Sequence, residues 1–109
     1  KLNAPLLAVS GIANSNSFYS SLVDQKINVV KHLQYKDHHN YSKKDMNKIY
    51  QFVEKNKCEG IITTSKDYYK LKKLNTKNIK IYRLDIYFVP LKDDIVAGNE
   101  LINKIKNIL

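Results

Sequence analysis

The sequence predicts an α/β fold in which a mostly parallel sheet of about four strands carries helices on both faces. Short apolar runs, of the kind found in buried parallel strands, recur along the chain. Between them lie stretches whose apolar residues recur every three or four positions, as on the buried face of a helix. Strand and helix patterns therefore alternate, which favours a Rossmann-like arrangement with right-handed crossovers.

The first quarter of the chain predicts a strand and a helix. Residues 6–12 form an apolar run, and Asn14 is placed to cap the helix that follows and ends near Gln25. Spacing predicts that this helix buries Phe18, Tyr19, Leu22 and Val23. A second strand is predicted over residues 27–33, which are rich in β-branched residues.

The start of the second helix is the best specified local feature. Ser42 and Asp45 stand at the positions of a capping box, and Tyr41 and Met46 are placed as its hydrophobic staple. The predicted buried face consists of Met46, Ile49, Tyr50 and Val53, and residues 56–59 close the helix.

The rest of the chain predicts two more strands and a last helix. Residues 60–64 form the third strand, followed by a turn. Residues 79–89 alternate apolar and polar side chains, as expected of a half-exposed edge strand ended by Pro90. A last helix, capped by Asp93 or Asp94, is predicted to pack onto the sheet through Leu101, Ile102, Ile105, Ile108 and Leu109.

Length and composition indicate one domain with an excess of positive charge. The chain has 109 residues, of which 43% are apolar, and no apolar run long enough to span a membrane. Cys58 is the single cysteine, which excludes an internal disulfide and suits a reducing, cytoplasmic setting. Nineteen basic residues against ten acidic ones give a net charge of +9 and favour anionic partners, although a general bias toward lysine would produce the same excess.

Three polar segments follow predicted strands. The first segment is G-I-A-N-S-N-S-F at residues 11–18, the second segment is K-D-H-H-N-Y-S at residues 36–42, and the third segment is T-T-S-K-D-Y-Y-K-L at residues 63–71. The carboxyl ends of parallel strands meet at one edge of a sheet, where α/β folds bind ligands. We therefore expect the functional site at this edge.

Residue chemistry gives each segment a candidate role. In the first, Asn14 and the following helix start suit an anion, although such caps are common in turns. In the second, His38 can carry a proton or bond a phosphate while Asp37 orients it. His39 is expected to be structural, and His32 a packed or surface residue. In the third, Thr64, Lys66 and Asp67 suit a phosphate-bearing ligand, and Asp67 can fix Lys66 or cap the turn.

In their order along the chain and in their residues, the three segments resemble the C-terminal half of the tetraacyldisaccharide 4'-kinase family, the lipid A 4'-kinases of Gram-negative bacteria. Ser15 stands where that family has proline, and Ser65 where it usually has glutamate. A P-loop, G-x-x-x-x-G-K-[ST], is missing from the sequence. The resemblance therefore implies that residues 1–109 are a single α/β domain, the C-terminal half of a two-domain kinase whose P-loop half is absent.

For the full-length parent, the resemblance implies ATP- and Mg²⁺-dependent phosphorylation of the 4'-hydroxyl of tetraacyldisaccharide 1-phosphate, giving lipid IVA at the cytoplasmic face of the bacterial inner membrane. The implied partners are the N-terminal P-loop domain of the same chain, the lipid A precursor and an anionic membrane surface, with no specific nucleic acid. His38 would work beside the transferred phosphate with a carboxylate from the other domain, and Lys66 and Asp67 would lie at the interdomain cleft. The isolated domain is expected to bind neither cofactor and to be inactive.

Other functions are compatible with parts of the sequence. The letters D-H-H also occur in manganese phosphoesterases, but upstream of Asp37 only Asp24 and His32 are available, too few for two metals, and no metal ligands are predicted. A stand-alone basic module for polyanions or nucleic acid is supported by the charge and by eight tyrosines, which can stack on bases. Most of those tyrosines fall where core packing explains them. A protein–protein docking domain is a third alternative.

Overall fold

Strands from the whole described part of the chain form one sheet in the computed structural model, which describes residues 3–86 and 103–106. The elements are β1 (Leu6–Ser10), α1 (Ser15–Asp24), β2 (Val29–Gln34), α2 (Lys43–Lys55), β3 (Gly60–Thr64), α3 (Ser65–Leu74), β4 (Lys80–Ile86) and β5 (Asn103–Lys106). The strand order is β2-β1-β3-β4-β5. The first four strands are parallel, which confirms the predicted fold class, and β5 pairs antiparallel with β4.

Helices cover both faces of the sheet because β1 is apolar on both sides. Leu7 and Val9 belong to a core that α2 and α3 cover, whereas Leu6 and Ala8 belong to a second core beneath α1. All the side chains predicted for the buried face of α2 are buried. α1 differs, since Phe18 and Leu22 are fully buried but Tyr19 and Val23 are 43% and 53% exposed. The prediction for those two was wrong because a ten-residue helix lying on one layer buries only a narrow stripe.

The first two crossover helices, α1 and α2, end in a Schellman motif closed by a lysine. After α1, the amide of Lys26 bonds the carbonyl of Val23, and the amide of Ile27 bonds that of Leu22. α2 ends in the same way, with φ of 59° at Lys26 and 51° at Lys57. This closure uses Ile27 to end the helix, so β2 begins at Val29 and not at residue 27 as predicted.

The second half of the sheet departs most from the sequence prediction. The predicted turn after β3 is the ten-residue helix α3, because the Thr64 side chain accepts a hydrogen bond from the Asp67 amide and caps a helix start. β4 lies between β3 and β5, so it is not the edge strand that was predicted. The predicted last helix is also wrong over Asn103–Lys106, which pairs with β4 in the register Leu84↔Ile105. Several predicted features lie outside the described residues: Pro90 at the end of the strand, and the cap at Asp93 or Asp94 and the residues Leu101, Ile102, Ile108 and Leu109 of the last helix.

The capping box of α2 makes a pH-dependent contribution to stability. Burial acts to raise the pKa of Asp45, but hydrogen bonds from His39 and the Ser42 backbone outweigh burial and lower that pKa. Because the folded-state pKa lies below the unfolded value of about 3.9, this stabilisation is complete above that pH and is lost as the pH falls through the folded pKa. We expect Asp45→Asn to lower the free energy of unfolding by about 1 kcal/mol at pH 7.

Urea denaturation of wild type and Asp45→Asn as a function of pH measures this contribution. The difference between the two proteins should stay constant from pH 7 down to about pH 4 and shrink below it. An exposed carboxylate in the same helix, Glu54, provides the control variant Glu54→Gln. A difference for Asp45→Asn that is the same at all pH values, or no larger than that for Glu54→Gln, would contradict the assignment.

Candidate functional site

The strand order brings the three segments to one edge of the sheet. β2, β1 and β3 are adjacent and parallel, so the segments that follow them all start at the carboxyl edge. The chain runs from β1 outward to β2 and returns to β3 on the other side of β1, while α1 and α3 pack on opposite faces. The topological switch point of the sheet therefore lies between β1 and β3, where open α/β sheets usually bind ligands.

A side chain of the protein closes this switch point. Asp67, in the first turn of α3, is fully buried. Its Oδ2 accepts hydrogen bonds from the Gly11 amide at 2.9 Å and from Thr64 Oγ1 at 2.6 Å. Asp67 thus occupies the position in which an anionic ligand would accept a bond from the backbone after β1. The sequence left open whether Asp67 contacts a ligand, fixes Lys66 or caps the turn. In the structure Thr64 is the cap of α3, because its Oγ1 accepts from the Asp67 amide, and the Asp67 carboxylate bonds Gly11 and the Thr64 hydroxyl instead.

Tyr41 completes the packing around Gly11. A Cβ at position 11 would lie 3.1 Å from Tyr41 Oη and 3.3 Å from Asp67 Oδ1, so glycine allows both groups to approach the backbone closely. Burial first, and then the neighbouring Asp67 carboxylate, raise the pKa of the Tyr41 hydroxyl well above its ordinary range. The hydrophobic staple predicted from the sequence includes Tyr41, but no nearby residue in the sequence indicated that its hydroxyl lies beside the buried Asp67 carboxylate.

The second segment presents the candidate catalytic pair at the surface. His38 is in the left-handed region, with φ of 63°, and its amide donates to the Gly11 carbonyl at 3.1 Å. Its side chain is 74% exposed, and its Nε2 lies 3.5 Å from Asp37 Oδ2. The histidine is therefore held through its backbone, and its imidazole is accessible to a ligand or a second domain at the sheet edge.

An open crevice of about 340 Å³ separates the first and second segments. Its polar lining includes Asn14, Ser15, Asn16, Gln34, Lys36 and Asp37. Asn14 also accepts a hydrogen bond from the Ser17 amide at 3.1 Å, which confirms it as the cap of α1. Thr64 is buried and Lys66 is exposed, and neither lines this crevice. The structure thus brings Asn14 and Asp37 together and leaves the third segment on the other side of Gly11.

The other two histidines have neighbours of their own. His39 Nε2 lies 2.8 Å from Asp45 Oδ2, and its ring stacks on Tyr35 at 4.5 Å, in agreement with the expected structural role. His32 Nε2 lies 2.8 Å from Ser10 Oγ, and its ring stacks on Tyr19. Burial lowers the pKa of His32. The Ser10–His32 contact was not predicted, since only the serine at the end of an apolar run hinted at it.

Within residues 3–86 and 103–106, no three His, Cys, Asp or Glu side chains are grouped as a metal site would require. No helix in the described part of the chain has the length and apolar character needed to cross a bilayer.

Comparison with known proteins identifies the family. The family model described as tetraacyldisaccharide-1-P 4'-kinase matches residues 1–109, the whole chain. The chain belongs to this family. A tetraacyldisaccharide 4'-kinase of Pelagibacter ubique is 39% identical over 99 residues, and one of Halothermothrix orenii is 35% identical over 106. These alignments cover 91% and 93% of this chain but 29% and 27% of the relatives. No solved structure gives a significant match.

Membership of the tetraacyldisaccharide 4'-kinase family confirms the resemblance expected from the three segments. The chain spans less than a third of the length of these two curated relatives. A third relative, the tetraacyldisaccharide 4'-kinase of Rickettsia typhi, is 38% identical over 72 residues, which are 66% of this chain and 22% of the relative. The residues of the site therefore belong to a segment that makes up less than a third of each of these relatives.

The Tyr41 hydroxyl should resist ionisation. Since burial and the Asp67 carboxylate both oppose a tyrosinate at this position, we expect the alkaline absorbance titrations of wild type and Tyr41→Phe to coincide up to about pH 11. In denaturant, where burial is lost, the wild type should titrate one tyrosine more than the variant. A difference of one tyrosine between the folded proteins below that pH would show that Tyr41 is solvated.

Proposed function

We propose that this chain is the C-terminal domain of a lipid A biosynthesis kinase whose full-length form transfers the γ-phosphate of ATP to the 4'-hydroxyl of tetraacyldisaccharide 1-phosphate, giving lipid IVA. The observation that carries the proposal is the family match over the whole chain. The curated relatives share the name tetraacyldisaccharide 4'-kinase and are more than three times as long as the part they share with this chain. The remainder of such a protein has room for the P-loop domain that this chain lacks.

The described residues of this domain do not fit an ATP or Mg²⁺ site of their own. The Gly11 amide, which would face a phosphate at the switch point, is already bonded to Asp67. The described residues also offer no acidic cluster for a divalent ion. The proposal therefore assigns both ATP and Mg²⁺ to the P-loop half, and the isolated domain is expected to be inactive.

His38 has the properties that a group acting on the acceptor needs. A neutral imidazole can accept the proton of a hydroxyl, and a carboxylate beside it can orient the ring. His38 is mostly exposed, has Asp37 at 3.5 Å and lies at the carboxyl edge next to an open crevice. In the proposed enzyme the P-loop half closes over this edge and adds a second carboxylate, while Asn14 and Lys66 contact phosphate groups.

Replacement of His38 in the full-length parent tests this role. We expect His38→Ala to reduce ATP-dependent phosphorylation of tetraacyldisaccharide 1-phosphate by about 10²- to 10⁴-fold, the usual contribution of a positioned acid or base. His32→Gln is the matched control, because it also removes an imidazole at this end of the sheet but can keep the hydrogen bond to Ser10. Circular dichroism should show that both variants are folded.

Each outcome has a separate meaning. An active wild type that is unaffected by His38→Ala would support the kinase and remove His38 from the chemistry. A wild type without activity would overturn the proposed function. Turnover by the pure 109-residue chain alone would contradict the assignment of ATP and Mg²⁺ binding to the P-loop half.

The proposal includes contact with the anionic cytoplasmic face of the inner membrane. Residues 43–77, which span α2, β3 and α3, contain ten lysines and four acidic residues, whereas residues 11–28, which include α1, contain one of each. The charge is thus concentrated on the layer opposite α1.

Aromatic stacking on nucleic acid is less well supported. Tyr41, Tyr50 and Tyr82 are buried, and in the described part of the chain only Tyr19 and Tyr69 are exposed.

Vesicle flotation of the full-length parent tests the orientation of this charge. We expect Lys48→Glu, on exposed α2, to weaken binding to vesicles containing phosphatidylglycerol at least about fivefold, because each lysine near such a surface contributes about 1 kcal/mol. Lys26→Glu, after α1, makes the same change in charge and should weaken binding less than about twofold. Equal effects would contradict a lysine-rich contact face. Equally tight, salt-sensitive binding to arbitrary single-stranded DNA would favour the polyanion-binding alternative.

A further inference from the structure

Two hydrogen bonds in series connect the third segment to the second through one glycine. The Gly11 amide donates to Asp67 Oδ2 at 2.9 Å, and the Gly11 carbonyl accepts from the His38 amide at 3.1 Å. Both backbone polar groups of Gly11 are therefore engaged, one on each side. These two bonds link His38 to Asp67, which is 29 positions further along the sequence.

The backbone conformation of His38 makes this support necessary. A φ of 63° is in the left-handed region, which is unfavourable for residues with a Cβ and persists when surrounding contacts hold it. The His38 side chain is 74% exposed, and its Nε2 lies 3.5 Å from Asp37 Oδ2. The backbone consequently sets the direction of the Cα–Cβ bond from which the imidazole extends, and the bond to Gly11 holds that backbone.

Steric contacts around Gly11 make the connection stiff. A Cβ at Gly11 would lie within 3.3 Å of Tyr41 Oη, the Lys36 carbonyl oxygen and Asp67 Oδ1. All three segments thus meet at this one residue, with Lys36 and Tyr41 on either side of His38 along the second segment. A shift of Asp67 cannot be absorbed locally, because close-packed surroundings transmit displacement.

We propose that Asp67 is a positioning residue, whose buried carboxylate fixes Gly11 and thereby holds His38 in its left-handed conformation at the sheet edge. It does so without touching a ligand, since its side chain is fully buried. This inference rests on the proposed function in so far as it takes His38 to act at the reaction centre. The effect of Asp67 on the shape of the second segment does not depend on that function.

Asp67→Ala and Asp67→Asn in the full-length parent separate positioning from charge. Alanine removes the acceptor for Gly11, whereas the amide oxygen of asparagine can still accept from Gly11 and from Thr64 Oγ1. Val53→Ala is the control for lost stability, since Val53 is buried near the far end of α2, away from the segments. Two quantities are measured: steady-state kinetics, and hydrogen exchange of the peptide covering residues 36–42.

We expect Asp67→Ala to lower kcat about 10- to 100-fold, with KM for ATP and for the lipid changed less than about twofold, because a misplaced group affects the chemical step more than binding. Hydrogen exchange over residues 36–42 should become faster. Asp67→Asn should restore most of both properties, and Val53→Ala should leave kcat and exchange in this peptide near the wild-type values.

Two results would overturn the inference. Unchanged exchange over residues 36–42 in Asp67→Ala would show that no connection to His38 exists. Defects in Asp67→Asn as large as those in Asp67→Ala would show that the charge itself acts. If the wild-type parent had no kinase activity, the proposed function would fail, and the exchange measurement would still decide whether Asp67 positions the second segment.

Discussion

The hydrogen bond from the Gly11 amide to the buried Asp67 carboxylate joins the end of β1 to the start of α3. A carboxylate taken out of water is costly unless it is hydrogen-bonded, so the two bonds that Oδ2 accepts, from Gly11 and from Thr64, are a condition for burying Asp67 at all. The hydroxyl that bonds Asp67, Thr64 Oγ1, also caps α3, and the Asp67 carboxylate closes the switch point and fixes the start of the first segment. These three features of the fold therefore form or fail together.

Because Asp67 closes the switch point, the open part of the site lies on the β2 side of β1. In most open α/β sheets the crevice between the diverging loops holds the ligand. Here the accessible crevice lies between the first and second segments, with Asn14 and Asp37 in its lining. A half-site that is open and polar on one side suits a domain that completes its chemistry only when another domain covers it, as the proposed kinase requires.

Local signals predicted much of this structure, and long-range contacts account for what was missed. The capping box Ser42–Asp45 specifies the start of α2 within four residues, and the structure contains both of its reciprocal bonds. The burial of Asp67 depends on Gly11, which is 56 residues away, and no window of sequence contains that information. The isoleucine spacing around residue 105 fits a helix, yet pairing with β4 decides the outcome. The segments themselves were found because strand ends in parallel sheets share an edge.

Four non-glycine residues in the described part of the chain have a left-handed backbone, and three of them, Lys26, Lys57 and His38, separate the helix ends from the candidate site. Lys26 and Lys57 occupy helix-ending positions where glycine is the favoured residue, so replacement by glycine would relieve strain and touch nothing in the site. His38 has the same backbone but lies beside the crevice, and glycine there would remove the imidazole together with the strain. A more stable form of this domain can therefore be engineered at its helix ends, while selection for heat resistance alone would favour glycine at residue 38 as well and remove its imidazole.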